Sequence, residues 1–430
     1  MAPSASTPQN IAERLISASI GGTWLFWATG TLYFVGPVLG WALGAMALRE
    51  WYFGRSQLSL TGPSAYREVA LLAWLMGMSF LLLILILGHI NFELGLAKTV
   101  KSSVGWAKGW ALLGLFPLAG AMLEIRVEII SRAICKLAIQ GFGLLPLFVL
   151  APVLGLPGTL WISPLSFLGG SGPEFFAVTL YTIDPSSGFP RWQFFAPWSP
   201  AAGIAAIVFL VVASTEKNLN WRLVGYAFWL LVVLMSQSRL ALVLLLVIPA
   251  MAIAMRMISD IRIIPVIAIS VFLLGIFGSP ILDGMDQLTN EFRSARADSS
   301  RVRETLARIA IDRWQQEAFW FGHGIVENGP HLVEYMPIGS HHSWYGLLFV
   351  KGLTGFLALL IPLALTLLSL FKDASSDKRF IAPLAIMFVI LAASFGENLE
   401  VIAYLIWPGL VVIGTKLRSR EGSQISREAS

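Results

Sequence analysis

Ile338-Gly339-Ser340-His341-His342-Ser343-Trp344-Tyr345-Gly346-Leu347-Leu348-Phe349-Val350-Lys351-Gly352-Leu353-Thr354-Gly355 carries a long polar loop directly into an apolar run that continues to about residue 371. About 20 apolar residues suffice for a helix to cross the hydrocarbon core of a bilayer, and this run exceeds that. His341 and His342 are thereby held at the mouth of a membrane segment. Four of the chain's five histidines, His323, His331, His341 and His342, fall in this loop and its exit.

The same pattern recurs along the chain. Of 430 residues, 56% are hydrophobic and 13% charged, against about 25% charged in a soluble domain. The apolar runs have helical length and none alternates as a barrel strand does. The expected fold class is therefore all-α, a polytopic transmembrane helical bundle. Apolar spans lie near 20–35, 36–49, 68–90, 103–122, 127–153, 200–215, 222–236, 239–257, 262–279, 344–371, 380–395 and 399–416. The count is twelve helices, or eleven if the first two merge; Gly36-Pro37 and Gly40 favour a break. Residues 1–19 lack the basic-apolar-cleavage pattern of a removed signal peptide and read as a cytoplasmic segment. Residues 20–416 form the membrane domain, and 417–430 read as a disordered cytoplasmic tail.

Basic residues set the orientation. Connections carrying Arg49, Arg55 and Arg67; Arg126, Arg132 and Lys136; Lys217 and Arg222; Arg256 and Arg262; and Lys372, Lys378 and Arg379 fall on one side, with Lys416, Arg418 and Arg420 of the tail. That side is expected to be the cytoplasm. The loops 154–199 and 280–343 then face outward. Lys98 and Lys101 lie on the outer side and break the rule. The net charge of +5 reflects this bias and forms no dense stripe, so nucleic acid is not an expected partner. Cys135 is the single cysteine. It excludes an internal disulfide and reads as a buried thiol in an apolar helix.

Several polar groups are candidates for chemistry. Ser236-Gln237-Ser238-Arg239 separates two apolar runs at the expected outer face. An arginine at that boundary either snorkels as an anchor or, paired or facing a wet cavity, binds an anion, and its planar fork matches a phosphate or diphosphate. The outer loop carries Arg293, Arg296, Arg301, Arg303, Arg308 and Arg313. Its segment 301–321 reads as a helix with Val302, Leu306, Ile309 and Ile311 on its apolar side and Asp298, Ser299 or Ser300 as N-cap. Trp320-Phe321-Gly322-His323-Gly324 forms a glycine-flanked turn in which His323 reads as structural. In the other outer loop, aromatic residues surround Arg191, either as a sugar platform or as an interfacial belt; Glu174 is its candidate carboxylate. No P-loop, no Asp-x-Asp pair and no standard zinc spacing occurs, although the four loop histidines leave a zinc site as an alternative. Charged groups within the helices are few and lie near ends, including Lys108, Glu397 and Glu400, which disfavours a proton-coupled transporter.

The order of these elements resembles a known superfamily. Ser-Gln-Ser-Arg239 opens a helix, an arginine-bearing outer helix follows, then Trp-Phe-Gly322-His-Gly324, then His341-His-Ser-Trp-Tyr-Gly-Leu-Leu with Gly352 and Gly355 downstream. This is similar to the O-antigen ligase and polysaccharide polymerase superfamily of bacterial membrane proteins, most clearly over 185–360. The resemblance implies a GT-C-like membrane enzyme, an inverting glycosyltransferase needing no metal and no nucleotide cofactor, at the outer face of the bacterial inner membrane with both termini cytoplasmic. The implied donor is a glycan on undecaprenyl diphosphate. The acceptor is a second lipid-linked repeat in polymerisation of exopolysaccharide, capsule or O-antigen, or the lipid A-core in ligation. Membrane lipids, a flippase and a chain-length regulator are the other implied partners. The family histidine, proposed to deprotonate the acceptor hydroxyl, falls at His341 when counted back from Gly352 and Gly355. His342 stands at the usual small polar position and leaves the choice between the two open. Arg239 matches the short Ser-Arg motif and Arg303 the arginine of the loop helix, with Arg308 and Arg313 as substitutes. Arg191 matches an arginine before an aromatic–Pro segment, with Trp198 where the family often has Asn. Glu174, Trp192 and Trp344 are the candidate glycan contacts. A glycan flippase or exporter, and a non-catalytic assembly partner, are the alternatives of other classes; the first would show internal symmetry, and none is found.

Overall fold

A computed structural model describes residues 7–54, 58, 60–168, 172–184, 188–257, 297–333, 335–338 and 342–418, with the backbone alone at 297–300 and 332. The expected span at 262–279, the tail from 419, Arg293, Arg296 and His341 lie outside the described residues.

The chain is an all-α polytopic bundle. Its helices are α1 (Ile11–Gly21), α2 (Thr23–Ala28), α3 (Leu32–Tyr52), α4 (Ala65–Asn91), α5 (Leu96–Lys108), α6 (Trp110–Met122), α7 (Val127–Val153), α8 (Ser199–Ala213), α9 (Leu219–Ser236) and α10 (Arg239–Met257). After the outer loop come α11 (Ala297–Glu317), α12 (Ser343–Ala374), α13 (Ile381–Ser394) and α14 (Leu399–Gly414). Among the described residues six helices are long and apolar enough to cross a membrane: α3, α4, α7, α9, α10 and α12. The shorter α6, α8, α13 and α14 are apolar and buried over most of their length, as expected of helices at the centre of a bundle. By contrast α10 exposes Leu246 and Ile253, and α4 exposes Met76, apolar surface suited to lipid. Between α6 and α14 the backbones nearly touch. A Cβ on Gly120 would sit 2.2 Å from the Val411 carbonyl, and one on Gly414 2.2 Å from the Pro117 carbonyl; small residues permit this approach where lipid offers no hydrophobic driving force.

Three expected boundaries are corrected. The first break falls at Gly30, which has φ +64°, and not at Gly36-Pro37. Pro37 lies inside α3, and Gly36 instead makes room for Tyr404. The expected 103–122 span is two helices parted at Gly109, where Glu400 of α14 fills the space a Cβ would take. The loop helix begins at Ala297, so Asp298, Ser299 and Ser300 lie within it and do not cap it; it ends at Glu317, short of residue 321.

Charge separates the two ends. At one end Arg67 pairs with Asp373 at 2.7 Å, Arg126 with Glu13 at 2.7 Å, Arg132 with Glu216 at 2.9 Å and Lys217 with Glu128 at 2.8 Å. Arg67 and Lys416 both lie over the Phe380 ring. The opposite end gathers the last turn of α4, the starts of α10 and α12, the α13–α14 connection and the outer loops. Described residues of the 154–198 loop form two antiparallel strand pairs, β1 (Thr159–Ile162) with β2 (Ala177–Thr179) and β3 (Tyr181–Ile183) with β4 (Pro190–Trp192). A third, β5 (Glu327–Asn328) with β6 (Pro337–Ile338), lies beside α11. The apolar side of α11, Val302, Leu306 and Ala310, packs on Val333, Ile338 and Phe349, so the helix lies against the start of α12.

The start of α12 is itself broken. Gly352 has φ +63° and ψ −167°, and the loop 319–324 runs alongside to satisfy the freed groups. His323 and Gly324 donate their backbone N–H to the Phe349 and Val350 carbonyls at 2.8 and 2.9 Å; Leu353 and Thr354 donate to Phe319 and Trp320 at 2.9 and 3.3 Å. An irregular backbone at membrane depth requires such internal partners.

Candidate active site

The turn between α9 and α10 is built by its own side chains. Gln237 takes a left-handed conformation at φ 51° and ends α9. Ser238 Oγ accepts the Ala241 N–H at 3.4 Å, capping α10, so Arg239 occupies the first helical position. Gln237 ties the second hairpin to this turn, donating from Nε2 to the Pro190 carbonyl at 3.3 Å while Arg191 Nη2 donates back to the Gln237 carbonyl at 3.5 Å. Arg191 is thus brought to Arg239 although 48 positions separate them in the chain.

Arg303 on α11 completes the group. The charges of both Arg239 and Arg303 act on Arg191, whose pKa is lowered by burial first and by these two neighbours next. Three cations converge here, and the Asp184 carboxylate is in loose contact, its Oδ2 at 3.8 Å from Arg191 Nη1. The Arg191 Nε–H is buried with no hydrogen-bond partner among the described residues. An unsatisfied, charged donor in such a cluster is expensive unless an anion takes it.

Beside the arginines lies a cavity of about 260 Å³ whose lining includes Arg303, His342, Tyr345, Gly346, Phe395 and Gly396. His342 is the N-cap of α12. Its Nδ1 accepts the backbone N–H of Trp344 at 3.1 Å and of Tyr345 at 3.4 Å. An amide can only donate, so in the neutral ring the proton sits on Nε2. Burial, and then the charge of Arg303, lower the His342 pKa to about 4. The ring is therefore neutral near pH 7, with its one lone pair committed to the helix.

Ser343 and Glu397 join α12 to the α13–α14 connection. Ser343 Oγ donates to the Glu397 carbonyl at 2.7 Å and accepts the Leu399 N–H at 2.9 Å. The half-buried Glu397 carboxyl accepts the Trp198 indole N–H at 3.1 Å. Burial raises its pKa to about 7, partly offset by Arg303 and by that indole. The sign follows from linkage. A carboxyl whose folded pKa exceeds its unfolded value binds more protons when folded, so its contribution is complete below about pH 4.5 and is lost as pH rises through about 7. Glu397→Gln is expected to raise the thermal midpoint at pH 8 and leave it unchanged at pH 4.5; equal shifts at both would show that Glu397 does not titrate there.

The remaining expected site residues fall elsewhere. Arg308 is exposed on α11 and is not among the residues lining the cavity. Arg313 is held by Glu317 at 2.8 Å and Glu327 at 2.6 Å, with its guanidinium over the Phe349 ring. Glu174 lines a separate, small recess with Trp27 and Tyr404. Trp192 spends its indole N–H on the Phe148 carbonyl at 2.7 Å. Trp344 is 6% exposed, against Phe356 and Phe395, and bonds Ser394. The indole is enclosed, and Trp344 is not among the residues lining either larger cavity. His323 is structural, stacked on Phe349 with ring nitrogens at 3.0 Å from the Phe349 carbonyl and 2.8 Å from Glu317. Among the described residues no three His, Cys, Asp or Glu side chains form a group that could hold a metal. Asp184, Trp198 and Glu397 were not expected at the site. Glu397 carried the same signal as Arg239, a charge in a short polar gap between two apolar runs.

A membrane bundle with an arginine cluster and a histidine-capped helix at one end is the class these features define. Residues 224–360 match the family model described as O-antigen ligase, and the superfamily resemblance holds over this stretch. It takes in Arg239, α11, the 319–324 splice and the broken start of α12; Arg191 lies outside it. The match and the fold together support a membrane glycosyltransferase of the O-antigen ligase and polymerase type. No curated protein matches the chain.

Proposed function

We propose that the protein polymerises oligosaccharide repeats carried on undecaprenyl diphosphate, at the outer face of the bacterial inner membrane. The carrying observation is the convergence of Arg191, Arg239 and Arg303 around an unsatisfied guanidinium N–H, next to the start of α12. The arginines bind the donor's diphosphate and neutralise it as it departs. The acceptor hydroxyl attacks the anomeric carbon from the opposite face and inverts it, its proton passing to a base. The basic ends of α4, α7 and α12 favour placing that end in the cytoplasm, which puts the arginines outside.

His341 is the base in this reading. His342 is unsuited because its free ring nitrogen already carries a proton and the other is held by two amides. His342→Asn keeps a capping acceptor and is expected to retain polymer synthesis, whereas His341→Ala is expected to abolish it and accumulate single lipid-linked repeats. A deletion strain complemented with each variant, matched for membrane expression, decides this. Loss of polymer in His342→Asn with full activity in His341→Ala would reverse the assignment. Retention in both would point away from catalysis by this helix start.

The description of the matched family supports ligation to lipid A-core as the second reading. The two differ in acceptor alone, and the same strains separate them: ligase loss leaves long lipid-linked polymer, polymerase loss leaves single repeats.

A further inference from the structure

A second cavity, of about 500 Å³, lies on the other side of the same helix start. Lys98, Lys101, Lys351, Glu400, Ser343 and Gly346 are among its lining residues. Gly346 lines both cavities, so at that position only backbone stands between them. The arginine cluster neighbours the first cavity alone.

The charge in this second space is not balanced. Three lysines face it against one carboxylate, Glu400. Lys351 is 4% exposed and sits immediately before the break at Gly352. Among the described residues its ammonium makes no hydrogen bond and no direct ion pair; Glu400 acts on it only through space. A buried ammonium in a membrane protein marks a cavity that receives a counter-charge. Lys98 and Lys101 are three apart on α5, so they share a side of that helix. No residue of α5 is buried, which leaves it lying over the cavity as an amphipathic cover. These two lysines are the pair that break the charge bias of the outer loops, and a role in the cavity accounts for that exception.

We propose that this cavity is a second anion site, which holds the phosphate or diphosphate headgroup of the lipid-borne acceptor. The inference rests on the glycosyl-transfer reading above and adds to it the acceptor's chemistry and place. A donor diphosphate at the arginines and an acceptor headgroup at the lysines would bring the two glycans together across Gly346, at the helix start that follows His341. The acceptor's phosphate recognises the site in either reading, polymerisation or ligation.

The test is a lipid titration of the purified full-length protein by native mass spectrometry, with undecaprenyl diphosphate as probe and phosphatidylglycerol and inorganic diphosphate as competitors. The wild type is expected to bind two probe molecules. K98A/K101A/K351M is expected to lose one, and R239A/R303A the other. K98A/K101A alone, altered only on exposed α5, is expected to weaken the second molecule about thirtyfold, at roughly 1 kcal/mol per lysine near a membrane surface. It keeps the test valid if Lys351→Met fails to fold. Inorganic diphosphate is expected to compete for that molecule and phosphatidylglycerol is not. Two full-affinity sites in K98A/K101A, or displacement by phosphatidylglycerol but not by diphosphate, would overturn the proposal. Two sites retained in R239A/R303A would instead count against the arginine donor site, and so against the function reading itself.

Discussion

Arg303→Ala is expected to abolish glycan synthesis while leaving the protein folded in the membrane. Arg303 is exposed on α11, lines the smaller cavity and acts electrostatically on Arg191, His342 and Glu397. Its side chain is exposed, and α11 is held in place by Val302, Leu306 and Ala310 packed on Val333, Ile338 and Phe349. Removing one group that stabilises a developing anion costs about 10²–10³-fold in turnover. Arg303→Lys is expected to recover little, since a point charge does not reproduce the bidentate fork. Arg308→Ala, five residues further on the exposed side, is expected to stay within about twofold of wild type, the usual small effect of a surface substitution. Polymer and lipid-linked repeats, normalised to membrane expression, provide the measurement. Wild-type polymer in a well-expressed Arg303→Ala strain would remove the arginine cluster from the mechanism.

The second large effect is structural. Gly352→Ala is expected to prevent the start of α12 from assembling. Its Cβ would lie 2.3 Å from the Trp320 carbonyl oxygen, in a backbone conformation, φ +63°, that side chains rarely adopt. The facing Gly322 is equally confined, with a Cβ 2.3 Å from the Lys351 nitrogen. The positive-φ, extended-ψ conformation alone costs about 1–3 kcal/mol for a residue with a Cβ, and the clash would pull apart four backbone hydrogen bonds between the loop and the broken helix. A total above about 3 kcal/mol is therefore expected, in the class of severe single substitutions. Gly143→Ala in α7, where a Cβ meets nothing within 4 Å, is expected to be neutral or to stabilise by up to about 1 kcal/mol through helix propensity. Thermal unfolding in detergent compares the two. An unchanged midpoint in Gly352→Ala would mean that the break at Gly352 is not required.

Much of this arrangement was legible in the order of residues. Apolar runs of helical length define a membrane bundle because the bilayer leaves so few alternatives for the backbone. The basic residues at alternate connections collect at one end because a helix that crosses a layer must reverse sides. Arg239 stood out for a local reason, a charge confined to a very short turn, and the apolar spacing of Val302 and Leu306 showed which side of the loop helix would pack. His341 and His342 were located by the point where loop gives way to helix.

Tertiary structure decided the rest, for reasons that sequence spacing does not contain. Breaks at Gly30, Gly109 and Gly352 are placed by what lies opposite, Ser163, Glu400 and Trp320, and Pro37, the stronger local signal, does not break its helix. Among three comparable loop arginines, the packing of α11 brings Arg303 to the cavity, leaves Arg308 exposed, and gives Arg313 to two glutamates. A single cap, in which backbone amides take the Nδ1 lone pair of His342, fixes that ring at the helix start. The charges of the lysine cavity come from α5, α12 and α14, far apart in the chain. Periodicity, hydrophobic length and charge bias act over a few residues or along one helix, and so they fixed the membrane frame; which charges meet inside it depends on contacts between segments, which only the packed bundle determines.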